Sequence, residues 1–325
     1  MGQEIQPRAP GAVSPRADPS WPAVAGTTMR LWLDRHYRRR AGRQRLVLVI
    51  SALVAMVVGA GVTRAFTQRD QSPPARPGVT APSPDALQAA MADRQQAAAW
   101  IAREVAPNVV VACDPEMCAA LQQSGFPAGQ LMELQPTAPD PLGSQLIVAT
   151  PVIRSQFGTR LTSVYAPLVI AGFGTGAERV QVLYIAPDGS KAFESQLGKD
   201  LKNRVAAGRQ LVTNKHVQAS AAARKALLAG QVDWRLLVTL STLADLMPIH
   251  LIAFDDPSPG ASSAVPLRGV ELGAAPAGLP AMVAFLKAQQ GQYAPAVARI
   301  TQIASGQQGV IVRYDAPGPM GLGGS

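Results

Sequence analysis

Asn108–Asp114 reads NVVVACD: five consecutive apolar residues closed by an acid. An apolar run this short, without alternation, is the pattern of a strand buried on both faces, as in a parallel sheet covered by helices. Pro115–Phe126, PEMCAALQQSGF, follows at once. Proline is tolerated in the first helical turn and glycine closes helices, so Asp114-Pro115 opens a helix and Gly125 lies near its end. A buried strand leading straight into a helix predicts an α/β class.

The chain on either side repeats this alternation. Upstream, Ser83-Pro84-Asp85 reads as a cap, a first-turn proline and a first-turn acid. The helix that follows carries Leu87, Met91, Ala98, Ile101 and Val105 and must stop before Pro107. Downstream, QLMEL and SQLIVAT are strands, and VIRSQFGTRL is a short helix. Residues 166–189 read as strand, glycine-rich turn, strand and turn. A helix is expected over Ala192–Ala207 and a brief strand at Gln210–Val212. Ser220 and Asp233 cap two more helices, IHLIAF and LRGVEL are strands, PAMVAFLKAQ is a helix, and VARITQIA pairs with GVIVRYDA as a terminal hairpin. The expected fold is an α/β domain with a mixed sheet over residues 85–317, and residues 318–325 form a flexible Gly/Pro-rich end.

The N-terminal quarter has another character. Leu46–Phe66, LVLVISALVAMVVGAGVTRAF, has no charge over its first eighteen residues. Eighteen helical residues cover about 27 Å, close to the ~30 Å hydrocarbon core of a bilayer. A spanning helix satisfies its own backbone in lipid, so this run is expected to be a transmembrane helix. It starts after residue 45, beyond the first 15–30 residues a secretory signal peptide occupies, and so reads as an uncleaved signal anchor. Ser51, Ala55, Gly59 and Thr63 recur every four residues, a small-residue face on which two such helices could pair in a homo-oligomer.

Charge orients the span. Seven arginines lie between Arg30 and Arg45, among them Arg38, Arg39, Arg40, Arg43 and Arg45, with only Asp34 opposing them. The positive flank is expected in the cytoplasm, where it also attracts anionic lipid headgroups. Of the net charge of +9, residues 1–66 carry +7 and residues 67–325 carry +2. The basic balance therefore belongs to the membrane flank and implies no nucleic-acid partner. Residues 1–29 are Pro-, Gly- and Ala-rich and are expected to be a disordered cytoplasmic tail, 30–45 a basic juxtamembrane segment, and 67–84 a Pro-rich linker.

Candidate chemistry is sparse. Cys113 and Cys118 lie beyond the span, in a compartment that would be oxidising. Their spacing is compatible with a disulfide or with two free thiols, and matches neither a C-x-x-C redox motif nor a zinc site. Gly172–Ala177, GFGTGA, loosely matches a dinucleotide-binding turn, yet ERVQVLYIA after it alternates like a strand where that motif needs a helix. His216 and His250 are far apart in sequence. Asp114, Asp255 and Asp256 follow strands, at the edge where α/β sites lie, and are the candidate ligand-binding residues. No cofactor, no metal site and no catalytic constellation is implied.

Ala223–Phe254, ARKALLAGQVDWRLLVTLSTLADLMPIHLIAF, resembles part of the extracytoplasmic domains of actinobacterial envelope proteins. Some of these are similar to zinc D-Ala-D-Ala carboxypeptidases, whose site takes a His and an Asp after the equivalent strand and a later His. Here Asp255 and Asp256 follow the strand and no His comes after His250, so the resemblance implies a domain without the metal site. The layout as a whole resembles Streptomyces-type single-pass membrane proteins, including CisA-like membrane partners of contractile injection systems. That resemblance implies a non-enzymatic protein whose tail docks a cytoplasmic protein assembly and whose outer domain senses or anchors. A cell-wall-directed hydrolase, or a degenerate hydrolase-like binding domain, is the competing expectation.

Overall fold

A computed structural model of the chain describes residues 84–255, 258–303 and 306–319. The expected span, its arginine flank, the pairing face at Ser51, Ala55, Gly59 and Thr63, and Asp256 lie outside the described residues. Among the described residues no helix is long and apolar enough to cross a membrane.

The α/β class is observed, with two mixed five-stranded sheets instead of one. The first half starts with helix α1 (Pro84–Glu104), followed by β1 (Val111–Cys113), α2 (Pro115–Gln123), β2 (Leu131–Glu133), β3 (Leu146–Ala149) and α3 (Pro151–Phe157). A π-helical turn over Leu161–Tyr165 leads to β4 (Leu168–Phe173) and β5 (Val180–Tyr184). Their sheet has the order β2-β1-β3-β5-β4, in which β2, β1 and β3 run parallel and β5 is antiparallel to both its neighbours. The burial of β1 and β3 is complete, as the apolar runs require. One face packs under α1 and α2 through Trp100, Ile101, Met117 and Leu121. The other packs under α3 and the π turn through Ile153, Phe157, Leu161 and Tyr165.

The second half contains α4 (Ser190–Thr213), β6 (Val217–Ala219), α5 (Ala221–Leu228), α6 (Trp234–Leu246), β7 (Ile249–Asp255), β8 (Gly269–Gly273), α7 (Leu279–Lys287), β9 (Val297–Gln302) and β10 (Gln308–Arg313). The sheet order is β6-β7-β8-β10-β9, with one parallel pair, β6 and β7. Here one face makes the core: Leu251, Val270, Leu272, Val310 and Val312 pack with Leu237, Leu240, Met282 and Leu286 of the helices. By alternation His250, Glu271, Gly273, Ile311 and Arg313 point to the opposite face.

Gln210–Val212 is the one expected strand that is absent; it is the last turn of α4, and the brief strand falls at Val217–Ala219. The inward stripe of α4 runs Phe193, Leu197, Asp200, Arg204, Gly208, Leu211, at helical spacing. Three of those positions carry a charge or no side chain, which hides the stripe from a hydrophobicity reading. Asp200 and Arg204 are nonetheless buried, at 5% and 4% exposure, and pair at 2.7 Å. Arg204 also donates to the Gly230 carbonyl, and the Trp234 indole N–H donates to Asp200. Helix α4 thus joins both cores, Phe193 in one and Leu211 in the other.

Two further seams close the halves together. The Ala106 amide donates to Ala316 and the Ala316 amide to Glu104, a short bridge beyond α1. Residues 258–262 run along the outer edge of β4, where Gly172 N–H donates to Pro259 at 2.7 Å and Ser262 N–H donates to Val169 at 3.0 Å. An edge strand that would otherwise offer free backbone groups is thereby covered.

Candidate functional site

Asp114 and Thr150 end the adjacent parallel strands β1 and β3 and cap α2 and α3. Asp114 Oδ1 accepts from the Met117 amide at 2.9 Å, and its Oδ2 accepts from the Thr150 hydroxyl. At 3% exposure, with both oxygens engaged, Asp114 is a structural cap and offers no face to a ligand. Beside it, Cys113 and Cys118 are joined by a disulfide, with Cα atoms 5.4 Å apart. The loop that Asp114-Pro115 opens brings the first turn of α2 back over the end of β1, the separation a disulfide needs.

The glycine-rich stretch is the turn of the β4–β5 hairpin, as the alternation after it requires. Gly174 and Gly176 have φ of +69° and +67°, so the glycines serve the turn. Arg154 donates to the carbonyls of Ala177 and Arg179 and pins the turn to the start of α3.

Asp255 ends β7 and is half exposed. Arg313 lies 3.3 Å from it and 4.0 Å from the buried Glu104, which in turn lies 3.8 Å from Arg268. Arg268, at 1% exposure, donates to the Tyr314 carbonyl at 2.7 Å and to Ser258 at 3.1 Å. Nearby, Arg235 pairs with Asp233 at 2.9 Å and donates to the Asp315 carbonyl. Burial raises the Asp315 carboxyl above its usual range, against the opposing pull of Arg235 and Arg268. These charges lie where the end of α1 meets the second sheet, and they hold the halves together. Asp114 and Asp255 therefore sit in separate halves and form no common site.

The histidines behave differently. Parallel pairing sets Gln218 of β6 opposite His250 of β7, which brings His216, two residues before Gln218, to the same end of the same face. The two histidines line one cavity of about 280 Å³ at the N-terminal ends of β6 and β7. Lys215, Gln218, Gln307 and Gln308 complete its polar wall. The cross-strand partner of His250 is Gly273, whose missing side chain leaves room beside the ring. His216 Nδ1 lies 2.8 Å from the Ala244 carbonyl. A carbonyl only accepts, so Nδ1 carries the proton, and the ring is held with Nε2 as its remaining polar atom. Lys215, His216 and His250 are the ionisable residues of this lining, which contains no carboxylate among the described residues. Sequence distance concealed this grouping, since His216 and His250 lie 34 positions apart.

No protein-family model, curated protein or solved structure matches the chain. A second hollow of about 350 Å³ is lined by Gln231, Ser258, Ser262 and Ser263 beside the loop that covers β4, and its lining holds no charged side chain among the described residues. Among the described residues no group of three or more His, Cys, Asp or Glu side chains is placed to hold a metal ion.

Proposed function

We propose that the protein is a bitopic membrane protein that works by binding: residues 46–66 span the bilayer, the arginine-flanked tail is cytoplasmic, and the α/β unit stands outside and takes an envelope ligand or protein. The observation that carries this reading is the Cys113–Cys118 disulfide in the folded unit. Such bonds persist in oxidising compartments, the side to which the charge asymmetry around the apolar run assigns that unit. The engagement of Asp114 with Thr150 and of Asp255 with Arg313 supports binding over a hydrolase built on those carboxylates. The tail, residues 1–45, docks a cytoplasmic protein assembly, for which a contractile injection system is the form the sequence resemblance supplies. The arginines add attraction to anionic lipids, and the small-residue face supports pairing of spans.

Topology is tested by labelling. Both native cysteines are bonded, so Leu246→Cys, at a position 62% exposed, supplies a lone free thiol. An impermeant maleimide should modify it in intact cells; protection until lysis overturns the orientation. Affinity purification through residues 1–45 should recover a specific cytoplasmic assembly, and a tail that retains none sinks the docking role.

A further inference from the structure

The cavity at the entry of β6 and β7 combines three features that Asp114 and Asp255 lack. It is a concavity of about 280 Å³, just below the usual range for small-molecule sites and large enough for a small anion. Its ionisable side chains, Lys215, His216 and His250, are all bases. Its remaining polar side chains include Gln218, Gln307 and Gln308, whose amides supply further donors. One of the bases is already oriented, because His216 is anchored through Nδ1 to the Ala244 carbonyl. A lysine contributes three N–H donors, His216 can present only its Nε2 because Nδ1 is held by the Ala244 carbonyl, and charge-assisted bonds to phosphate oxygens are among the stronger hydrogen bonds in proteins. Four tetrahedral oxygens and a negative charge suit a wall with a lysine, amide donors and no carboxylate better than a neutral ligand does.

We propose that this cavity is a phosphate-binding site, with Lys215 as the charged contact, the imidazoles of His216 and His250 beside it, and the glutamine amides completing the shell. The assignment deepens the reading of the α/β unit as a binding module and rests on it. It does not depend on the side of the membrane on which the unit stands, so a failed labelling experiment and a failed binding experiment are separate results. The phosphate could be carried as a monoester on a soluble molecule or as the diester of a lipid headgroup. Both sources present the same oxyanion to the same donors.

The test is a titration of the purified full chain with inorganic phosphate, followed by phosphorus NMR and calorimetry, with glycerophosphoglycerol as a second, diester probe. Saturable one-site binding is expected. Lys215→Gln should weaken it about tenfold or more, as expected for loss of a charge-assisted contact, and His250→Gln should weaken it by a smaller factor. Gln308→Glu, which places a carboxylate in the wall, should abolish it. Lys215, His250 and Gln308 are all exposed, so these changes leave the core packing intact, and an unchanged melting temperature checks that. Stronger binding of the diester assigns a lipid headgroup, and stronger binding of phosphate assigns a monoester; either supports the site. Binding that survives all three substitutions belongs to the arginine-rich tail and overturns the proposal. So does binding that appears only after zinc is added, and so does no binding at all.

Discussion

The two halves of the protein use an acid after a strand in opposite ways. In the first half, Asp114 closes β1, is buried, and spends both oxygens on a helix cap and on Thr150. In the second, Asp255 closes β7, stays half exposed, and meets one arginine. The difference follows from the sheets. The first is covered by helices on both faces, so a residue at the end of its central parallel strands is enclosed. The core of the second lies on one face, and its strand ends reach solvent. The same one-sided covering leaves His250 exposed at the other end of β7, about 16 Å along the strand from Asp255. The enclosed half thus consumes its polar groups in holding the fold, whereas the open half retains groups that can meet a ligand.

The largest expected effect concerns the helix shared by both halves. Asp200→Ala strands the buried Arg204 without its carboxylate and removes the acceptor of the Trp234 indole. Removal of one partner of a buried pair costs about 3–5 kcal/mol, to be read by urea unfolding. Two separate transitions, one for each half, would show that Asp200 also couples the cores.

Next comes the contrast between the two strand-ending acids. Asp114→Ala should cost about 3 kcal/mol, a cap of about 1 plus the penalty for an unsatisfied buried hydroxyl on Thr150. Asp255→Ala removes a partly exposed ion pair and should cost less than about 1 kcal/mol. Equal losses would mean that the two ends are not enclosed to different degrees. Between these values lies the disulfide. Replacing Cys113 and Cys118 by serine releases a loop of sequence separation 5. Loop-closure entropy for so short a loop is worth about 2 kcal/mol, and it should appear as lower resistance to denaturant.

The smallest effect depends on pH. Asp315 is partly buried beside Glu104, and its folded pKa lies above the unfolded value. The fold therefore favours the protonated acid: the stability this gives is complete below the unfolded pKa and is lost as pH rises through the folded pKa. Asp315→Asn should accordingly raise the melting temperature at neutral pH, with the gain fading below about pH 4. A gain that persists in acid would assign the effect to packing instead of charge.

Much of this architecture is legible along the chain because its signals are local. The run Val109–Cys113, the Asp114-Pro115 start, and the caps Ser220 and Asp233 all report structure within a few residues of themselves. The alternation after Gly176 was enough to identify a hairpin turn where a nucleotide motif was the rival. The end of α4 was not legible, since its inward stripe holds Asp200, Arg204 and Gly208 in place of apolar residues. Those residues read as solvent-facing until Trp234 and Gly230 are brought against them.

By itself the sequence determined the α/β class, the order of nearly all the elements, and the division between a strongly basic N-terminal segment and an almost neutral remainder. These follow from periodicity, capping and charge, which act over a few residues. Only the tertiary structure decided that the strands divide into two sheets, that Asp114 is enclosed while Asp255 is not, and that His216 and His250 share a cavity. Each of those depends on which strands pair and in what register, and pairing is set by the burial of surfaces far apart in the chain.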